Sequence, residues 1–295
     1  MSRFNTLLLR EWMQHHRGWL ALMLVPPILI LLLLPFGSVE IGPGELGQVP
    51  ALSLMLLTMF AVPAVVLGIT VVALLFQAPG LARRDRQDRS IEFWLSLPIS
   101  HSASVAAPVL MHFVLVPLLA LVIGAAFSYF VGAALIWKAF GAAQAFGLPW
   151  GTLVVVGMAG LARGLLGVLL ACAWLMPLAL ALMAASAWMK RWGLPVLVLV
   201  LSIGHGVLSK VYGLAAISEV ILGLGSNARL AMMHSKPPSP RGSADLVGWL
   251  SDAPSWFFND ALMALRDLGQ PLFLFALAAS AACFALLVLR RSRNG

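Results

Sequence analysis

The side chains that could do chemistry in this chain are its few charged residues, and the densest group of them lies at residues 83–98. This stretch has the sequence Arg-Arg-Asp-Arg-Gln-Asp-Arg-Ser-Ile-Glu-Phe-Trp-Leu-Ser-Leu-Pro. It is charged and amphipathic, and it separates two long apolar segments that hold almost no charge. Such a segment has little use in a bilayer unless a partner outside the membrane binds it, so the pattern favours protein docking.

Motifs for catalysis within a membrane are missing from the sequence. It has no HExxH metal motif, no GxS with a matched histidine and no paired intramembrane acids. It also lacks the GxxxxGK[ST] phosphate loop that nucleotide hydrolysis needs. We therefore expect no enzyme activity, no catalytic residue, no metal site and no bound cofactor in this chain. An intramembrane lipid-modifying enzyme remains an alternative.

A few ionisable side chains lie inside apolar segments, where charge is costly and usually faces a protein interior or a wet cavity. They are Arg163, His205, Lys210 and Glu219. Lys210 and Glu219 are nine residues apart, roughly 13 Å along a helix, which is too far for direct pairing within that helix. These four residues are candidates for a translocation path. The alternatives are that Arg163 extends to the outer headgroups, that Lys210 and Glu219 lie near the outer interface, and that His205 is a packed, hydrogen-bonded residue.

The elements that must position these groups are membrane spans. Of 295 residues, 61% are hydrophobic and 10% are charged, whereas a soluble domain carries about 25% charged residues. A span needs about 20 consecutive apolar residues. The sequence therefore predicts one all-α membrane domain over residues 1–295. Its six spans are predicted at residues 19–36, 52–78, 104–136, 165–187, 194–222 and 271–289.

Basic residues predict the orientation of these spans, because Lys and Arg accumulate on the cytoplasmic side. Six spans place the N-terminal segment, residues 83–89, Lys190, Arg191 and the C-terminal tail on one face. Twelve basic residues lie there, against five on the other face, which also carries six acids. Both termini are expected in the cytoplasm of a bacterium, with the chain in its inner membrane. Orientation and anionic lipid explain the net charge of +8, and no basic run suggests nucleic-acid binding.

The connections are predicted to hold short helices. Residues 1–18 form an interfacial helix with apolar residues on one face and charged residues, Glu11 included, on the other. The long outer loop at 223–270 holds short helices at 244–250 and 255–268. The N-terminal apolar run lacks a cleavage site and is expected to be an uncleaved span. Cys172 and Cys283 lie inside spans without a CxxC partner and are expected to be packing residues.

The charged stretch at 83–98 is itself predicted to form a cytoplasmic helix between spans 2 and 3. Asp85 or Asp88 can cap its N-terminus, where a carboxylate accepts free backbone N–H groups. Pro98 ends it, because proline disfavours helix at the residue before it. Taken alone, this could be an ordinary positively charged loop with a surface helix.

The whole pattern resembles a known family. Residues 90–100, Ser-Ile-Glu-Phe-Trp-Leu-Ser-Leu-Pro-Ile-Ser, are similar to the cytoplasmic coupling loop of the permease subunits of two-component ABC exporters, which have the type V exporter fold. The Leu-Leu-Leu-Arg-Glu-Trp stretch at 7–12 resembles their interfacial helix, and the long last outer loop resembles their short external helices. The resemblance covers the whole chain in architecture and about 25 residues in motif.

The resemblance implies a transport function. The chain would pair with a second permease copy, most simply as a homodimer. Each copy would bind a separate ABC ATPase subunit, which holds ATP and Mg, and would export a hydrophobic or amphipathic peptide, lipid or drug. A non-catalytic anchor that recruits a soluble factor is the other alternative. The implied ATPase contacts are Arg86, Asp88, Arg89, Glu92, Phe93 and Trp94, and the implied interfacial-helix residues are Phe4, Leu8, Arg10, Glu11 and Trp12.

Overall fold

The computed structural model describes residues 3–38, 50–81, 100–237 and 243–293, and these residues form helices and their connections without a β-strand. The predicted all-α class is therefore confirmed. The predicted coupling helix at 83–98, with its six expected docking residues, lies outside the described residues.

Long helices make up most of the described chain. A π-helical turn, Met111–Leu115, joins α3 to α4, and 3-10 turns follow α1, α6 and α9. In chain order the helices are α1 (Arg3–Leu33), α2 (Pro50–Leu81), α3 (His101–Leu110), α4 (Val116–Phe140), α5 (Ala142–Phe146), α6 (Trp150–Met189), α7 (Gly193–Val211), α8 (Ala216–Met232), α9 (Ser243–Arg266) and α10 (Pro271–Ser292).

The chain is a multi-pass membrane protein. Five helical stretches in the described ranges are long and apolar enough to cross a bilayer: Phe4–Phe36, Ala51–Leu81, His101–Phe140, Trp150–Val211 and Pro271–Ser292. The fourth stretch contains two helices, α6 and α7, joined by the 3-10 turn Lys190–Trp192. The turn is tight, because a Cβ on Gly193 would lie 2.5 Å from the Cα of Ser186.

The predicted boundary between an interfacial helix at 1–18 and a first span at 19–36 is wrong. One helix, α1, runs from Arg3 to Leu33 without a break. No proline lies near residue 18, and Leu7 before it and Trp19 and Met23 after it are all buried. Packing on both sides of residue 18 keeps the two segments in one helix.

Two further boundaries differ from the prediction. The span predicted at 194–222 is divided, because α7 ends at Val211 and α8 begins at Ala216. Gly213 takes a positive φ of 67°, and the Leu214 N–H donates to the Leu208 carbonyl, which closes the helix end. The fourth span begins at Trp150 rather than residue 165.

The two short helices predicted in the outer loop form one helix, α9, which continues through Pro254. Four of its buried side chains, Leu246, Leu250, Ala253 and Phe257, pack in one core cluster with α2, α4 and α6. This i, i+4, i+7, i+11 stripe spans the proline. Packing of the stripe outweighs the hydrogen bond that the proline removes.

The most extensive helix packing in the described chain joins α4 to α2. Gly124, Ser128 and Gly132 recur every four residues along the buried face of α4, so small residues let the two backbones approach. A Cβ built on Gly124 would lie 2.6 Å from the Cα of Pro63 on α2.

We expect Gly124→Ala to destabilise the protein, because backbone rather than a movable side chain meets the added methyl group. Overpacking of this kind costs about 1–3 kcal/mol. The matched control is Gly68→Ala on α2, where a Cβ would meet nothing within 4 Å and helix propensity favours alanine by about 1 kcal/mol. Unfolding in detergent measures both, and equal stability of the two variants would contradict this packing.

The helix α6 organises the rest of the molecule, because α2, α4, α7, α8, α9 and α10 all pack against it. Its 40 residues extend roughly 60 Å, about twice the thickness of a bilayer core. The Trp174 ring packs edge-on against Phe273, near the start of α10. The part of α6 before Trp174 therefore rises roughly 35 Å beyond the start of α10, and α8 and α9 cover it.

Candidate functional site

A large apolar groove lies between α2 and α6, with α4, α8 and α9 completing its wall. Its volume is about 1010 Å³, at the upper end for ligand pockets. On α2 its lining extends from Met59 to Ala78, a distance of roughly 28 Å along the helix. This length nearly equals the thickness of the bilayer hydrocarbon core.

Small residues open the groove. Gly160, Gly164, Ala171 and Ala179 of α6 line it opposite Gly68 of α2. With so little side-chain volume on the facing surfaces, α2 and α6 leave space between them instead of packing along their whole length. The remaining lining is mainly Leu, Val, Met and Phe, which suits an apolar ligand.

One end of the groove carries charge. Arg163 of α6, which is 5% exposed, and Asp260 of α9, which is 1% exposed, both line it there. The Arg163 Nε donates to Asp260 Oδ2 at 2.8 Å, and Nη2 lies 2.7 Å from the same oxygen. This buried ion pair links α6 to α9 across 97 residues of sequence.

Asp260 also holds the chain that leaves α8. It accepts hydrogen bonds from the Ser235 N–H at 2.6 Å, the Ser235 hydroxyl at 2.7 Å and the His234 N–H at 3.3 Å. Arg163 Nη1 donates to the Ala231 carbonyl at 2.8 Å. A Cβ on Gly167 would lie 3.0 Å from that carbonyl, so a glycine there leaves room for this approach. The pair therefore fixes the end of α8 against α6 and α9.

Burial of Asp260 acts to raise the pKa of its carboxyl group. Hydrogen bonds from the Ser235 side chain and backbone, from Arg163 and from the His234 backbone lower the pKa more strongly. The net pKa is therefore below the usual value for aspartate, and the group is ionised at neutral pH.

Acid should weaken the folded state through this group. Because the folded pKa of Asp260 is depressed, its contribution is complete above the ordinary aspartate pKa of about 3.9 and is lost as pH falls through the lower folded value. We expect the denaturant concentration at the midpoint of unfolding to decrease as the pH is lowered from roughly 5 to 2. This decrease should be steeper for the intact protein than for the Asp260→Asn variant. Parallel pH profiles for the two proteins would contradict this assignment.

A second cation lies at the same end of the groove. Arg229 of α8 is part of the lining, is exposed and forms no ion pair with any described residue. Two guanidinium groups and one carboxylate therefore give this end a net positive charge. An anionic group would be favoured there.

The residues predicted from sequence for a translocation path do not come together. Arg163 lines the groove, but the lining drawn from the described residues does not include His205, Lys210 or Glu219. His205 is half-buried in α7, Lys210 is exposed in the last turn of α7, and Glu219 is exposed in the first turn of α8.

The expected interfacial-helix residues lie on α1 with one change. Phe4 is half-buried, and Leu8 and Trp12 pack against a core cluster. Arg10 forms an ion pair with Glu11. Glu11 itself is 1% exposed, so its predicted position on the polar face is wrong. It lies one turn from the buried Leu7, on the same side of the helix as Trp19.

Two polar groups were missed by the sequence interpretation. Asp260 lies in the outer-loop segment and showed no local signal, because its partner is 97 residues away. His112 is fully buried in the π turn. A lone histidine in an otherwise apolar predicted span is a signal that could have found it, since such groups are costly unless paired. It lies near Glu11 and His15, a group that could hold a metal ion.

Comparison of this chain with protein-family models, with curated proteins and with solved structures found no match.

Proposed function

We propose that this chain is the membrane-spanning subunit of a two-component, ATP-driven exporter. The observation that supports this best is the groove between α2 and α6, which is apolar for roughly the depth of a bilayer core and positively charged at one end. A passive anchor has no need of such a groove.

The groove favours a hydrophobic or amphipathic cargo, such as a lipid, a drug or an apolar peptide. An acyl chain or apolar side chains would lie along α2 and α6. Arg229, which has no ion-pair partner among the described residues, would meet a negatively charged group of the cargo at the charged end. Asp260 would neutralise Arg163 there. Arg229 alone would then attract the negatively charged group of the cargo.

The proposed topology has six crossings, with α6 and α7 counted separately, and both termini in the cytoplasm of a bacterial cell. Arg290 near the end of α10 packs over the Trp188 ring at 4.8 Å, near the end of α6. Lys190, Arg191 and Arg291 lie at the same end of the molecule. This basic end supports the cytoplasmic assignment.

The energy would come from a partner. The chain has no phosphate loop, so ATP and Mg would bind to a separate ABC ATPase, which docks on residues 83–98. Two copies of the chain would form the permease, each with its own ATPase.

Purification of the complete chain from its native membrane, in mild detergent, tests this function. We expect a polypeptide with a phosphate loop to copurify in equal amount and to hydrolyse ATP. A soluble partner without ATPase activity would support the alternative of a recruiting anchor. Turnover of a lipid by the chain alone would support a lipid-modifying enzyme. Either result would contradict the proposal.

A further inference from the structure

Two imidazole rings and a carboxylate converge beside the π turn that joins α3 to α4. Glu11 and His15 lie one turn apart on α1, and His112 comes from the π turn between α3 and α4. One potential ligand atom from each of the three residues lies within 4.8 Å of the others. Glu11 and His112 are buried, and His15 is partly exposed.

His112 points to a missing ligand at this place. Its side chain is 0% exposed, and neither ring nitrogen has a hydrogen-bond partner among the described residues. Buried polar groups in proteins are nearly always paired. The nearest charged atom is Glu11 Oε2, at 3.7 Å from His112 Nε2, which is too far for a hydrogen bond. A metal ion between His112 Nε2 and Glu11 Oε2 would accept a lone pair from each atom.

The other histidine is held in the form that binds a metal. His15 Nδ1 lies 3.2 Å from the Glu11 carbonyl oxygen. A carbonyl oxygen only accepts, so Nδ1 carries the proton and Nε2 keeps a lone pair. Ligating histidines usually donate their other N–H to a carbonyl or carboxylate in this way.

The π turn that places His112 has a cause in the sequence. Pro117 has no N–H, so the carbonyl of Phe113 loses its usual helical partner, and Cys172 Sγ donates to that carbonyl instead at 2.8 Å. The Val116 N–H bonds to the Met111 carbonyl, five residues back. Single π turns of this kind occur frequently at functional sites.

The chemistry of the three groups selects the class of ion. Two neutral imidazoles and one carboxylate are the ligands of three-ligand zinc sites, which keep a fourth position for water. Arg10 pairs with Glu11 Oε1, and Glu11 Oε2 lies on the side of His112. Magnesium and calcium prefer oxygen ligands and do not suit this set.

We propose that Glu11, His15 and His112 bind one divalent transition-metal ion of the zinc type. The ion ties α1 to the π turn of the third membrane-crossing stretch. This site is independent of the exporter proposal, because none of its residues lines the groove in the described part of the chain.

A zinc titration of the purified full chain tests the site. The protein is prepared in detergent with a histidine-free tag, and Zn²⁺ is titrated in competition with a chromogenic chelator. We expect one ion per chain for the intact protein. Co²⁺ bound in its place should give the visible d–d spectrum of a four-coordinate ion.

Two variants and a matched control decide the assignment. His15→Asn and His112→Asn should each weaken zinc binding about tenfold or more. The control is His16→Asn, the neighbouring histidine on α1, whose Nδ1 bonds to the Met13 carbonyl outside the cluster. It should leave binding unchanged. If His112→Asn does not fold, zinc binding by the His15→Asn variant tests the site, because His15 is partly exposed and its replacement should not prevent folding. Absence of zinc binding, or equal binding by the His15→Asn and His16→Asn proteins, would overturn the proposal.

Discussion

Replacement of Asp260 by asparagine is expected to cost about 3–5 kcal/mol of stability, because it leaves the Arg163 charge buried without a counterion. The Arg163 side chain is only 4% exposed and cannot reach bulk water. The asparagine amide would also present N–H groups near the guanidinium, where the carboxylate accepted its hydrogen bonds. The contact that holds Ser235 and the end of α8 would weaken as well.

Unfolding of purified variants in a denaturing detergent titration measures this effect. Asp252→Asn is the matched control, since it makes the same change at an exposed position of α9 and should shift stability by less than about 0.5 kcal/mol. The double variant Arg163→Gln with Asp260→Asn removes both charges and should regain part of the loss. Equal stability of the Asp260→Asn and Asp252→Asn proteins would contradict a buried ion pair.

Hydropathy predicted where the chain is apolar, but not where the helices end. The predicted division of α1 at residue 18 followed from a change in composition, and a helix continues through such a change when side chains on both sides of it are packed. Leu7 and Glu11 are buried before residue 18, and Trp19 and Met23 are buried after it. The hydrophobic pattern of the sequence places Glu11 on the polar side of the helix. Only the tertiary structure, which brings His112 next to Glu11, shows why Glu11 is buried.

The groove could not be predicted for a related reason. Its small residues, such as Gly160 and Gly164, are common in helices that pack closely, and the sequence does not distinguish close packing from a gap. On α4, Gly124 meets Pro63, whereas on α2, Gly68 faces open space. The sequence identified Arg163 as a charged residue whose burial is costly. Its partner Asp260, in the predicted outer loop, could be identified only from the position of α9 in the structure.

Replacement of Glu92 and Trp94 together by alanine is expected to abolish ATP-driven activity, because two docking hot spots worth about 2 kcal/mol each would weaken ATPase binding roughly a thousandfold. Both residues lie in the motif that resembles a coupling loop. They lie outside the spans predicted from sequence, so the membrane helices should remain folded, with an unchanged unfolding midpoint.

The matched control changes the same two residue types elsewhere. Glu219 is exposed at the start of α8, and Trp137 is 58% exposed near the end of α4. The topology proposed here places both on the opposite side of the membrane. The Glu219→Ala, Trp137→Ala protein should therefore bind the ATPase as the intact chain does.

The rate of ATP hydrolysis by the complex of this chain with its copurified ATPase is the most direct measurement of the exporter proposal. We expect a rate that requires the intact segment at 83–98. Replacement of Glu92 and Trp94 should lower the rate to that of the isolated ATPase subunit, and the control replacement of Glu219 and Trp137 should leave it unchanged. An ATPase rate that is identical for all three proteins, or the absence of any bound ATPase, would contradict it.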